Sequence, residues 1–221
     1  MIYTCTPEKI SIYINTDRLT AKQVREKTGC DAVINGGLYD MSAFKPLCHL
    51  KVNGQVLVSD PYGYWGYAWD KNRLVMTADY SNYQNYICCV CLVREGKAEP
   101  LIYNADMGGS RPRTVLGTKD GKAVLMAFTN GWTPEALRQY ALGYGFDDAI
   151  MLDGGNSVQM SCPDGEITSS RRVHNLICVW SRPEVLYKVQ VGAFSVKSNA
   201  ERLRDELKML GYNGFITEVK G

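Results

Sequence analysis

The sequence has no apolar run approaching the roughly 20 residues needed to span a bilayer. It has no long run of lysine and arginine either, and its formal net charge is only +2. Nucleic acid is therefore not an expected partner, since that would call for a strongly basic face. The N-terminus, MIYTCTPEKISIYINTDRL, has no basic leader followed by a continuous apolar stretch. No secretory signal is read, and cytoplasmic synthesis is expected. Histidine is scarce, at two residues, and no GxSxG element occurs, which leaves a Ser-His-Asp triad without support.

What is present fits a globular protein. Apolar residues make up 45% and charged residues 22% of 221 residues, enough for one substantial domain and a small appendage. Eight cysteines are present, three of them in the apolar stretch NYICCVCLV. Read as a single strand, that stretch puts Cys89 and Cys91 on one face and Cys88 on the other. Zinc binding there would need ligands arriving from elsewhere in the chain, so buried reduced thiols are expected.

Alternation of side-chain character marks a strand at KISIYI (9–14); DAVIN (31–35) and RRVHNLICVW (171–180) also read as strands, and AIMLD (149–153) as a short buried one. Asn53-Gly54 and Asp120-Gly121 each suit the tight turn of a hairpin. A capping box from Thr20 to Gln23 predicts a helix ended by Gly29. A second helix is predicted over 133–143, with Ala136, Leu137, Tyr140 and Ala141 on one face. The expected class is α+β: a mixed, β-sheet-rich domain with few helices over 1–181, a linker over 182–186, and a small β-α-β module over 187–221. In that module YKVQVGAF and GFITEV read as strands, and Ser198 with Glu201 as a capping box.

Three polar clusters lie at strand ends beside glycines: Asn35-Gly36-Gly37, Arg111-Pro112-Arg113-Thr114 and Asp153-Gly154-Gly155-Asn156-Ser157. Glycine there lets the backbone turn sharply and approach a ligand closely. Taken singly, Asp-Gly is ordinary turn chemistry. In this order and separation, with RRVHNLICV as a closing strand, the clusters resemble the phosphodiester glycosidase family over roughly residues 30–180. Two departures stand out. Asn130-Gly131 occupies a place where the family commonly has Asp-Gly, which removes a charge, and Asn156 stands where a third glycine is frequent.

The resemblance implies cleavage of a bond between a sugar's anomeric carbon and a phosphate oxygen. The leaving phosphate diester is weakly basic and needs positive charge more than a proton. Arg113 is the first candidate for that charge, because a guanidinium fork suits phosphate oxygens; Arg111 and Arg171 come second. Asp153 would stabilise the oxocarbenium ion or act as base or nucleophile. Asn35, Gly36, Gly37, Thr114, Gly154, Gly155, Asn156 and Ser157 are candidate substrate-binding residues. His174 is a weaker one, since a structural role in its strand is the stronger expectation. The aromatic stretch YGYWGYAW (62–69) is read as strand packing ahead of sugar stacking. No cofactor is assigned; a divalent cation stays open, although no ligand spacing points to one.

Residues 187–219 resemble one repeat of the SPOR family, whose members bind peptidoglycan. A SPOR domain has two such halves, so either pairing of two chains through this tail or docking on the main domain is expected. Together the resemblances imply a hydrolase of a sugar-1-phosphate linkage in a bacterial cell-wall polymer or related glycoconjugate, reaching the wall after release from the cell. The alternatives are a non-catalytic wall-binding protein on the same scaffold and a cytoplasmic hydrolase of sugar nucleotides.

Overall fold

The computed structural model describes residues 1–59, 64–182 and 189–218. The chain divides into two compact units, Met1–Arg182 and Pro183–Gly221. The first is α+β and mostly sheet. A six-stranded sheet centres on the long hairpin Arg111–Lys119 and Lys122–Trp132, with Asp148–Met151 alongside. A five-stranded sheet centres on Ala32–Asn35 and Asn175–Ser181. Another five-stranded sheet is built around Asn85–Cys88. All the described strand pairs are antiparallel.

The buried middles of the central strands, such as 124–127 and 149–151, are continuously apolar because both faces are covered. In Asp148–Met151 and its continuation, Ile150 and Leu152 enter a core shared with Ile34, Ile177, Trp69 and Ile87 from the other two sheets. Ala149 and Met151 point the opposite way, onto Leu137 and Ala141 of the helix Pro134–Tyr144. The same alternation splits Ile34 from Val33, which packs with Val24 of the helix Ala21–Thr28. Each of these two sheets thus lies between the shared core and a helix of its own.

Local signals act as read. The Thr20–Gln23 capping box is formed and Gly29 ends that helix with φ 65°. Asn53 and Gly54 both take positive φ, as do Asp120 and Gly121, matching the hairpin turns. Several expectations need correction. NYICCVCLV is two strands, Asn85–Cys88 and Val90–Arg94, because the chain leaves one sheet for another at Cys89. Ala136 is exposed, the buried stripe of its helix running through Pro134, Leu137 and Ala141. The last strand begins at Asn175, after His174.

In the second unit the helix spans Lys197–Met209 and opens on Val196 with no side-chain cap, so the Ser198–Glu201 box is not formed. No strand occurs over 189–194 or 214–218, where the β-α-β reading put two. A lone extended segment leaves its amides and carbonyls without a ladder, and two short ones give no stable sheet. No described residue of this unit is buried. The remaining parts of these expected strands, at 187–188 and 219, lie outside the described residues, as do most of the expected linker and Tyr62-Gly63 of the aromatic stretch. No described helix is long and apolar enough to cross a membrane.

Candidate active site

The three polar clusters meet at one place, where strand ends of the two helix-backed sheets converge. The strand through Ile150 ends in Leu152, whose N–H donates to the Thr114 carbonyl (2.9 Å). Asp153 follows, and its main chain is tied to both sheets. Its N–H donates to the Gly36 carbonyl (3.1 Å), while its carbonyl accepts from Asn35 Nδ2 (2.8 Å) and Thr114 Oγ1 (2.9 Å). Asn35 Nδ2 also donates to Thr114 Oγ1 (3.1 Å), and Asn35 Oδ1 accepts from the Gln159 N–H (3.2 Å). Asn35 and Thr114 are fully buried. Their polar atoms are spent within the protein, so they position Asp153 and do not face a ligand.

The Asp153 side chain is partly buried, and desolvation raises its pKa above the ordinary carboxylate value. The nearby Ser157 hydroxyl, the Gly154 N–H (2.9 Å from Oδ1), Arg171 and Arg113 pull in the opposite direction. Ser157 is fully buried on the short helical turn Gly155–Ser157. Its Oγ has no partner of good hydrogen-bond geometry, although it lies near enough to lower the pKa of both Asp153 and Tyr39.

Arg113 is 2% exposed. Its Nε donates to the Trp132 carbonyl (3.0 Å), and its Nη2 to those of Met107 (2.8 Å) and Gly109 (2.9 Å). One face of the fork is therefore committed to backbone. Its Nη1 lies towards Gly154, 3.3 Å from where a Cβ on that glycine would stand. Burial, and after it the neighbouring Arg111, lowers the Arg113 pKa. Arg111 also passes Gly155, its Cδ 3.9 Å from the Cβ position there. Gly155 has φ +60°, the left-handed region that favours glycine. The charges of Arg171 and Arg113 thus act on Asp153, with Arg111 beside the glycines that follow it.

His174 is 6% exposed, with burial lowering its pKa. It packs edge-on to Phe44, and its Nδ1 lies 3.3 Å from Asn175 Nδ2, the surroundings of a structural histidine. Asn156 is exposed, and its carbonyl accepts from Ser169. Gly36 and Gly37 lie on Asn175, whose Oδ1 accepts from the Gly37 N–H (2.9 Å) and would stand 1.8 Å from a Cβ on Gly36.

Asn175, Gln159 and Tyr39 were not singled out from sequence. Gln159 binds the Ala21 N–H (2.7 Å) and the Arg171 carbonyl (3.1 Å), joining the first helix to the arginine loop. Tyr39 donates to the Arg172 carbonyl (3.0 Å). Each lies next to a recognised cluster in sequence or in space, but nothing in its own spacing marks it. Asn130 is exposed near the end of its strand. No group of three or more metal-ligating side chains occurs among the described residues.

The domain is thus an α+β fold that fixes one carboxylate between two of its sheets, with arginines nearby. A family model for phosphodiester glycosidases matches residues 28–180, and the chain belongs to that family. A model of the SPOR domain matches residues 183–221. No curated protein matched the sequence. Among solved structures, the catalytic domain of zebrafish N-acetylglucosamine-1-phosphodiester alpha-N-acetylglucosaminidase, auto-inhibited by its pro-peptide, superposes with a TM-score of 0.60 at 16% identity, over 79% of this chain and 73% of that one. A hypothetical protein from Synechocystis gives a TM-score of 0.67 at 11% identity, over 82% of this chain and 59% of that one. These likenesses carry the fold.

Proposed function

We propose that the protein is a hydrolase that cleaves a sugar-1-phosphate linkage in a bacterial cell-wall polymer or related glycoconjugate, with the SPOR unit binding peptidoglycan. The observation carrying this reading is the Asp153 carboxyl, desolvated, fixed through its main chain and set beside Arg113, Arg171 and the buried hydroxyl of Ser157. The cations suit a leaving phosphate: a diester anion departs without a proton if charge and donors receive it. Arg113 Nη1 and Arg171 are assigned that role, with Arg111 at the rim. On the sugar side, Asp153 faces the positive charge that develops at the anomeric carbon. Desolvation raises its affinity for a proton, which suits a group that takes one from an attacking water. Asn35 and Thr114 act through Asp153 by holding its carbonyl.

The test compares wild type with Asp153→Asn on synthetic sugar phosphodiesters, sugar nucleotides and isolated wall polymers, with products identified by mass spectrometry. Wild type is expected to release sugar and phosphate products, and the variant to lose about 10²–10⁴-fold in turnover. Equal turnover by the variant would remove Asp153 from its role. Wall binding with no turnover of any substrate would favour a non-catalytic wall-binding protein, and turnover confined to sugar nucleotides a cytoplasmic hydrolase.

A further inference from the structure

Beside the site lies a second feature, one that the hydrolysis does not use. Strand Leu50–Val52 pairs with Asn85–Cys88 so that Tyr86 faces Lys51 and Ile87 faces Leu50. The pairing continues past the ladder, since the Cys88 N–H donates to the His49 carbonyl (3.3 Å). The next positions in that register are Cys89 and Cys48. The pair sits at the open end of this ladder, where the chain turns off to the other sheet, and a disulfide there requires Cα atoms within about 7 Å. The Cys48 thiol lies near enough to that of Cys89 to raise its pKa, together with burial. None of the eight cysteines is disulfide-bonded.

Cys48 is partly exposed. Cys89 is nearly buried but borders a cavity of about 170 Å³ lined by Tyr64, Trp65, Cys91, Glu99 and Ile102 among others. A small oxidant can therefore reach either sulfur. The pair also borders the catalytic place: Asp153 is among the charges acting on Cys89, and the Cys88 carbonyl lies 3.6 Å from the Cβ position of Gly37. A second thiol pair, Cys30 and Cys178, is also close, but Cys178 is fully buried in the core behind the first helix. That pair has no comparable access.

We infer that Cys48 and Cys89 form an oxidisable site, closed to a disulfide by a peroxide, that braces the wall of the Asp153 site. Cys48 is the more exposed of the two thiols, so it meets the peroxide first. Its thiolate attacks a peroxide oxygen, the O–O bond breaks, and Cys48 sulfenic acid forms with release of water. The Cys89 sulfur then attacks the Cys48 sulfur. The S–S bond forms, hydroxide leaves, and the Cys89 proton converts it to a second water. Two thiols have lost two electrons and two protons, and the peroxide has become two waters. The pair is reduced in a reducing cytoplasm and closes when the protein meets an oxidising exterior.

The test is peptide mapping of the full chain after mild hydrogen peroxide, without reductant. The expected result is one linked pair of peptides carrying Cys48 and Cys89, lighter by two hydrogens, reversed by dithiothreitol and absent in Cys48→Ser. Cys89→Ser is the second variant and should trap sulfenic acid at Cys48, read by dimedone labelling. A linkage of Cys30 to Cys178 in its place, or peroxide-treated protein in which both Cys48 and Cys89 still alkylate fully, would overturn the inference. The readout is covalent mass, so its failure leaves the hydrolase reading untouched.

Discussion

Arginine makes two different contributions within a few residues of Asp153. Arg113 is buried and gives Nε and Nη2 to backbone carbonyls of the loop before it and the strand beside it. Replacing it by methionine would strand those carbonyls, costing about 3 kcal/mol in denaturant unfolding. Arg171 is partly exposed, and Arg171→Ala should change stability by no more than about 0.5 kcal/mol while weakening substrate binding, read as a rise in KM. Asp153 itself predicts a pH effect. Its folded-state pKa lies above the unfolded value because of burial, so the folded state holds its proton more tightly. Between those two pKa values stability falls as pH rises, and above both the full penalty remains. Asp153→Asn should remove that acidic-range slope and make the protein more stable at neutral pH, checked by thermal unfolding across pH.

Among the elements of the first unit, hairpins and capped helices were legible because their chemistry is local: Asn53-Gly54, Asp120-Gly121 and the Thr20–Gln23 box each specify their own geometry. The convergence of the three polar clusters was legible through their order along the chain. What was not legible depends on partners far away in sequence. Asn35 reads as a ligand contact from its place beside two glycines, yet its amide is consumed by Thr114 and Asp153, 79 and 118 residues on. The break at Cys89 is set by which sheet each half joins, not by any turn residue. Gly36 shows the same dependence, since its need for glycine comes from Asn175 in another strand. Gly36→Ala should cost about 2–4 kcal/mol in chemical unfolding. Adding Asn175→Ala should cost less than the sum of the single changes, because it removes the oxygen that the new methyl meets.

In the molecule as a whole, the two units differ in how they are held. Met1–Arg182 encloses a core shared by three sheets, whereas no described residue after it is buried, and Val189, Met209, Leu210 and Phe215 are each more than 70% exposed. So small a unit cannot bury a core alone. Pairing of two copies through this unit is the expected remedy, and light scattering after size exclusion checks it. Full-length protein should be larger than a monomer and the 1–182 fragment monomeric; a full chain that stays monomeric would refute pairing. The fragment should keep its turnover of small soluble phosphodiesters and lose retention on isolated peptidoglycan, measured by sedimentation.

The double tie on the Asp153 carbonyl divides the site into a fixed half and an adjustable half. Asn35 and Thr114 each serve both sheets at once, so a change at either disturbs the scaffold before it alters what is recognised. Arg111, Arg171 and Asn156 carry no such double duty. Under the proposed function, substrate range is expected to drift by substitution at those three while the acid stays where it is. A library aimed at new phosphodiesters should vary them and leave Asn35 and Thr114 alone.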